Sequence, residues 1–419
     1  MGYVLDKGLC CDGRDAHVPV LRPTDVGFDT ALATPQVAPT ATANCGCVGT
    51  VPGAGQDCEL GHYAGPGHIP ATQPWLECDQ YFNSTSDGTA AMVSLPQVSP
   101  VNDAAFLVDG FEAFARAAVG RGQPFFAQIS FHNNHIPYVA PPEYRALYPG
   151  LDLNHQDYYG GLSVVDDQVQ RVRALLQALG VANNTLVALT ADNGPELDFA
   201  DHHCVTFFNP GDNGGLTGRK RALTEGGIRV AGIVEFPPLV RAARVEPGYF
   251  PASTNDFLPT LLDIAGVSPH PAFPLDGVSL LPLLAGQTAN RSTPIGWYSD
   301  FEWGLFPPER NTSITCTERK AQAPSSLPTD FQTPFAQRQL AWTEGPMKLF
   351  ACSSTPKVTD SWRFALYNVV ADEKEQEDLW PQLGNTVGNA MFQRFLVWQR
   401  SVEHSVAAET HCTVGGRML

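Results

Sequence analysis

The segment Tyr158–Glu196 constrains the fold more than any other. Leu162, Val165, Val169, Val172, Leu176 and Leu179 recur at helical spacing, so Tyr158–Leu179 reads as a long helix that Gly180 stops. LVALT (Leu186–Thr190) follows as an apolar strand and ends abruptly in Asp192-Asn193-Gly194-Pro195. A helix feeding directly into a buried strand is the repeating unit of an α/β sheet. Further units of the same kind flank it. Val101–Val119 has a helical apolar face, PFFAQIS (Pro124–Ser130) reads as a strand buried on both faces, and GIRVAGIVEF (Gly227–Phe236) reads as another strand before a helix over Asn255–Ala265. The expected architecture is therefore α/β, with a mostly parallel central sheet flanked by helices.

The character changes near residue 290. IGWYSD, LAWTEGPMKLFA and FALYNVV look like strands joined by polar loops, and Phe392–Val402 looks like a final helix. The expected division is an α/β domain over residues 1–290 and a small α+β subdomain with an antiparallel sheet over residues 291–419. Residues 1–100 are rich in Pro, Gly, Thr and Cys and read as loops with short strands.

Charge and cysteine content narrow the function. The net charge is −17, so the basic footprint of a nucleic-acid binder is absent. No run of apolar residues is long enough for a membrane-spanning helix. There are 10 cysteines, clustered toward the N-terminus, and sequons stand at Asn83, Asn183, Asn290 and Asn311. Both point to disulfides and an oxidising compartment, secreted or in the lysosomal or endomembrane lumen. The first residues, MGYVLDKGLCCDGRD, contain no apolar core of a signal peptide.

In open α/β sheets ligands gather beyond the carboxyl ends of strands. Asp192 and Asn193 stand there and offer adjacent oxygens, which suit a hard cation; an Asx turn accounts for them equally well. His135 follows PFFAQIS in FHNNHIP, with His132 as a competitor, and could hold an anionic oxygen or donate a proton. Lys220 lies in the basic run Arg219-Lys220-Arg221, which could bind an anion or simply be solvated.

The order of these motifs adds what no single one carries. DNGPE, then K-x-x-x-x-E-G-G-I-R-V, then NDFLPTLLDIAGV, then PLDGVSLLPLL, resembles the formylglycine-dependent sulfatase family of the alkaline-phosphatase-like superfamily. PTDVGFD and PFFAQISFHNNHIPYVAPPEY upstream, and GPMKLF and LYNVVADEKEQEDL downstream, are similar to that family too. The resemblance implies hydrolysis of sulfate esters, with a sulfated small molecule or sulfated carbohydrate as partner. It implies Asp192 and Asn193 as ligands of Ca²⁺ (Mg²⁺ being the alternative), Lys220 as the lysine on the sulfate, and His135 as the histidine beside the sulfate and leaving-group oxygen. A carboxamide ligand also argues against a zinc phosphatase, whose sites lean on histidine nitrogen.

The family's nucleophile is a cysteine in C-x-P-S-R, oxidised to formylglycine, with two metal-binding aspartates before it and a G-K-W-H stretch after it. None of these is present in this sequence. Cys10-Cys11-Asp12-Gly13-Arg14 has the C-x-x-x-R spacing, but Asp12 and Gly13 stand where the family has proline and serine. The expectation is a sulfatase fragment, inactive as written. The alternatives are a phosphoester or phosphodiester hydrolase of the same superfamily and a non-catalytic protein that binds sulfated ligands.

Overall fold

The computed structural model describes residues 28–33, 80–85, 90–94, 104–134, 140–196, 199–200, 206–207, 210–240, 250–269, 274–299, 339–353, 362–409, 413–414 and 417–418. The chain divides into two units, Met1–Thr185 with Asp198–Gly211, and Leu186–Leu197 with Asp212–Leu419.

In the first unit, β1 (Thr30–Ala33), β2 (Gln80–Thr85) and β3 (Ala90–Ser94) form an antiparallel sheet. Helix α1 (Ala104–Gly120) appears where its periodicity places it and buries Ala104, Val108, Phe111, Ala115 and Ala118. A single turn, α2 (Pro142–Arg145), precedes the long helix α3 (Leu153–Ala178). Helix α3 starts ahead of its apolar repeat because Asp152 caps it, accepting from the His155 N–H at 3.0 Å. Its buried face is Asp157, Gly160, Gly161, Val164, Gln168, Leu175 and Leu176, whereas Leu162 is exposed. The inward face is thus rotated from the expected one, because the two glycines let α2 and the segment before it approach closely. Arg171 of α3 bonds Asp109 of α1 at 2.6 Å.

Pro124–Ser130 is not a strand; among the described residues it has no strand partner, and Phe126 is 50% exposed. A continuous apolar run becomes a strand only where a neighbour offers a ladder of hydrogen bonds. Here Phe125 packs instead on α1, edge-on to Phe111 and Phe114 with ring centroids 6.2 and 6.1 Å away.

In the second unit, β4 (Val187–Thr190) pairs with a later strand, Gly232–Glu235. That strand is β7 in chain order, after the short β5 (Phe199–Ala200) and β6 (Thr206–Phe207). Helix α4 (Glu225–Ile228), one turn long, occupies the front half of what the sequence presents as the strand GIRVAGIVEF. The β4–β7 pair is antiparallel, as is every strand pair among the described residues. The mostly parallel pairing expected from helix–strand alternation is not seen there. A parallel connection needs a crossover of a dozen or more residues, usually one long helix. Among its described residues, the path from Thr190 to Gly232 holds the short strands β5 and β6 and the single turn α4, and no long helix.

Helix α5 (Phe257–Ile264) follows a 3₁₀ turn, and α6 (Leu281–Leu284) is one turn. Strands β8 (Ile295–Ser299), β9 (Gln339–Glu344), β10 (Met347–Cys352) and β11 (Arg363–Asn368) form an antiparallel sheet in the order β11-β10-β9-β8. Helices α7 (Trp380–Leu383) and α8 (Asn389–Glu409) complete the unit.

This sheet is buried on both faces. One face carries Leu340, Trp342, Leu349, Ala351, Phe364 and Leu366 against Phe392, Phe395 and Leu396 of α8. The other carries Ala341, Phe350, Cys352, Ala365 and Tyr367 against Leu223 and Ile228. Strand period alone generates the two sets, since neighbouring side chains point to opposite faces. Cys352 is disulfide-bonded, in keeping with the cysteine content.

Phe364 is fully buried, with Phe392 and Trp380 rings 5.0 and 5.3 Å away. Phe364→Ala should therefore destabilise by about 3–5 kcal/mol. Chemical denaturation of this variant beside the exposed-site control Val397→Ala checks it, and equal midpoints would contradict the two-faced core.

A candidate anion and metal site on the second unit

The end of β4 and the loop carrying Lys220 are joined by their backbones. The Gly194 N–H donates to the Gly227 carbonyl at 2.9 Å, and the Lys220 N–H donates to the Pro195 carbonyl at 2.9 Å. Arg219 Nε donates to the Glu196 carbonyl at 2.8 Å. These bonds bring Asp192, Asn193 and Lys220 into one substructure. His135 lies outside the described residues, as do Asp201, His202, His203, Cys204, the N-terminal cysteines and Trp303.

Glycines make this join possible. A Cβ at Gly194 would collide with the Gly226 carbonyl, and one at Gly227 with the carbonyls of Ala222 and Arg219. Neither Gly226 nor Gly227 has positive φ. The Glu-Gly-Gly turn thus needs glycine for close backbone approach, not for a left-handed conformation.

Asp192 is exposed and Asn193 half-buried. Asp192 Oδ1 accepts the Asn193 N–H at 2.8 Å, and Asn193 Nδ2 donates to the Gly194 carbonyl at 2.9 Å. The second bond fixes the carboxamide so that its nitrogen is engaged and its oxygen remains for another partner. A carboxylate and a carboxamide oxygen fit a hard cation in kind, but Ca²⁺ takes six to eight oxygens. Among the described residues no cluster of three His, Cys, Asp or Glu side chains could hold a metal. Asp192 and Asn193 can thus form part of a coordination shell.

Lys220 Nζ stands 3.6 Å from Glu196 Oε2, and Arg221 pairs with the other oxygen of the same carboxylate. Beneath the loop lies a feature that motif reading missed. Lys348 is fully buried, with its ammonium 2.8 Å from Glu225 Oε1 and 3.0 Å from Glu375 Oε1. Glu375 Oε2 accepts the Glu225 N–H at 2.8 Å, and Arg229 Nε donates to Glu225 Oε2 at 2.6 Å. Burial acts to raise the Glu225 carboxyl, but Lys348 and Arg229 together outweigh it and hold it below the usual range. Burial pushes Glu375 up, and the Glu225 charge adds to that, only partly offset by Lys348. The signal was present in the strand period: Lys348 shares a face with Phe350 and Cys352, so a lysine is aimed into the core.

In the first unit, residues on both sides of His135 are held by α3. Asp157 Oδ1 accepts the Ala140 N–H at 2.7 Å and Arg145 Nε at 2.6 Å, and Asn133 Nδ2 donates to the Gly161 carbonyl at 3.4 Å. Burial raises the Asp157 carboxyl despite these two donors.

Residues 70–267 match the family model described as Sulfatase. Over these residues the chain is similar to the sulfatase family. It is 36% identical to the steryl-sulfatase of Rattus norvegicus over 40% of this chain and 27% of that protein. It is 28% identical to the N-acetylgalactosamine-6-sulfatase of Homo sapiens over 67% of this chain and 46% of that protein. The chain thus spans less than half the length of these relatives. A solved sulfatase from Pseudoalteromonas superposes with a TM-score of 0.51 at 19% identity, covering 77% of this chain and 57% of that one. Ps i-CgsB in complex with k-i-k-neocarrahexaose superposes with a TM-score of 0.54 at 19% identity, covering 74% and 57%. The fold is alkaline-phosphatase-like. Sulfate ester hydrolysis is what the family does. Among the described residues no helix is long and apolar enough to cross a membrane.

The buried ion cluster makes the stability of the second unit depend on pH. A carboxyl lowered by folding, as in Glu225, contributes stability above its unfolded pKa that is lost as pH falls through the folded value. Glu375 is raised, so its contribution runs the other way and fades as pH climbs above the ordinary carboxylate range. Lys348→Met should cost about 3–5 kcal/mol, because it strands two carboxylates in the core. Glu375→Gln should cost far less, and its stability relative to wild type should improve as pH rises from the carboxylate range toward neutrality. Urea denaturation of both variants at several pH values checks this; a pH-independent difference for Glu375→Gln would contradict the assignment.

Proposed function

We propose that the chain binds sulfate esters at the Asp192–Asn193–Lys220 substructure and supplies these groups to sulfate ester hydrolysis. The observation that carries this reading is the backbone join between Pro195 and Lys220, which holds a cation's oxygen ligands and an ammonium on one frame. Asp192 and Asn193 would hold Ca²⁺, which neutralises the ester's charge when bound. Lys220 would bond a non-bridging sulfate oxygen, and His135 would hold or protonate the leaving-group oxygen. No cysteine of this sequence stands in C-x-P-S-R, so the residues present do not fit formylglycine and no covalent step is assigned to them.

A sulfated carbohydrate or other sulfated small molecule is the ligand class. The names N-acetylgalactosamine-6-sulfatase and steryl-sulfatase, and the neocarrahexaose complex, support that range. A secreted or lumenal location belongs to the same proposal, supported by the Cys352 disulfide and by the exposed sequon residues Asn183 and Asn290. So does a division of the chain near residue 290 into an α/β domain and a C-terminal subdomain.

Calorimetry with a nitrophenyl sulfate tests the reading. Binding should require Ca²⁺, weaken sharply in Asp192→Ala, and weaken roughly tenfold or more in Lys220→Ala, the loss of one charge-assisted bond. Equal affinity with and without Ca²⁺ would sink it. Tighter binding of the matching phosphate ester would transfer the site to phosphorus chemistry.

A further inference from the structure

Glu196 stands a few residues beyond the proposed metal ligands, yet neither composition nor motif assigns it a task. Its carboxylate is 7% exposed and faces Lys220 with one oxygen, at 3.6 Å, and Arg221 with the other. Its own carbonyl accepts Arg219 Nε at 2.8 Å. One residue at the end of β4 therefore engages all three consecutive cations of the loop.

The loop backbone shows what this achieves. Arg221 has φ 76°, a left-handed conformation that costs a non-glycine residue about 1–2 kcal/mol. Such strain persists only where the surroundings over-determine it. Gln339, fully buried on β9, clasps both sides of the turn. Its Nε2 donates to the Arg221 carbonyl at 3.0 Å, and its Oε1 accepts the Leu223 N–H at 3.0 Å. The guanidinium–Glu196 pair closes the clamp from the other side. The turn at Arg221 reverses the chain directly after Lys220, so it decides where the lysine stem leaves the backbone.

We propose that Glu196 is a positioning residue for Lys220, which fixes the ammonium between β4 and the strained turn at Arg221. The proposal rests on the sulfate-ester reading for its purpose, though not for its geometry. A free lysine carries about 2 kcal/mol of rotamer entropy, and Arg219 and Arg221 on either side repel it. Glu196 offsets that repulsion and narrows the ammonium to one place.

Limited reductive methylation of the whole chain with formaldehyde, read by mass spectrometry of the Lys220 and Lys374 peptides, tests the clamp. Lys374 is exposed and serves as the internal reference. In Glu196→Gln the ammonium loses its counter-charge and its fixed place, so Lys220 should be labelled severalfold faster at fixed pH, with Lys374 unchanged. In Arg221→Gly the glycine accepts the left-handed turn and Glu196 serves Lys220 without the competing guanidinium, so Lys220 should react more slowly. A carboxylate that merely braced the loop would give faster labelling in both variants. An unchanged Lys220 rate in Glu196→Gln, or a rise in both, overturns the proposal. Should Glu196→Gln fail to fold, Arg221→Gly decides by the sign of its effect alone. Adding a nitrophenyl sulfate with Ca²⁺ to the wild type separates the two ideas: no protection of Lys220 counts against the sulfate-ester reading and leaves the clamp standing.

Discussion

The ammonium of Lys348 sits at zero exposure between two carboxylates, and the second unit is arranged around that fact. A lone charge there would be forbidding to bury, so the fold must deliver Glu225 and Glu375 to it together. Glu225 comes from the loop after Lys220, and Glu375 from the loop after β11. The Glu225 N–H donates to Glu375, so the two loops bond each other as well as the lysine. Arg229 adds a second cation on Glu225 and reaches the Val369 carbonyl at 3.1 Å. Losing Lys348 releases two loops at once.

This cluster connects the core to the proposed site through the sheet. The face of β9, β10 and β11 opposite α8 is roofed by Leu223 and Ile228. Those residues bracket Glu225 and follow directly on Lys220 and Arg221. Hydrophobic burial thus seats the loop, the ion cluster fixes its far end, and Gln339 and Glu196 fix its near end. The site is built on a sheet and not on a free loop, which is how a scaffold holds a side chain to a fraction of an ångström. The glycines at 194, 226 and 227 complete the arrangement by letting backbone meet backbone where any side chain would intervene.

Much of this was legible in the residues, and the illegible parts share a cause. Strands β8 to β11 fall where the apolar patterns put them, and α8 contains the expected Phe392–Val402 but extends past it at both ends. Asp192, Asn193 and Lys220 could be picked out because a strand end and a basic run are local features. Pro124–Ser130 misled because strand identity depends on a partner elsewhere in the chain. The antiparallel β4–β7 pair was hidden for the same reason: alternation of helices and strands says nothing about which edges meet. Lys348 was half visible, being in register with Phe350 and Cys352, but Glu375 was lost among the acidic residues of ADEKEQEDL. Only a tertiary contact distinguishes it from its solvated neighbours. The strained turn at Arg221 has no local signal at all, since arginine is not a residue that announces a left-handed backbone.

On the sulfate-ester proposal, electrostatics would give the arrangement its selectivity. With a net charge of −17, the chain as a whole repels anions, so a sulfate ester can be drawn only by a local inversion of that field. In that proposal Arg219, Lys220 and Arg221 would provide it, and Glu196 would limit it. Three unconstrained cations would attract any polyanion, whereas a carboxylate that occupies part of their charge leaves a weaker and more directional potential. A hard cation on Asp192 and Asn193 would restore attraction at one point, beside the ammonium. Affinity would then depend on an anion small enough to touch both. A single ester sulfate meets that requirement by size and charge, and an extended polyanion held only by surface lysines does not.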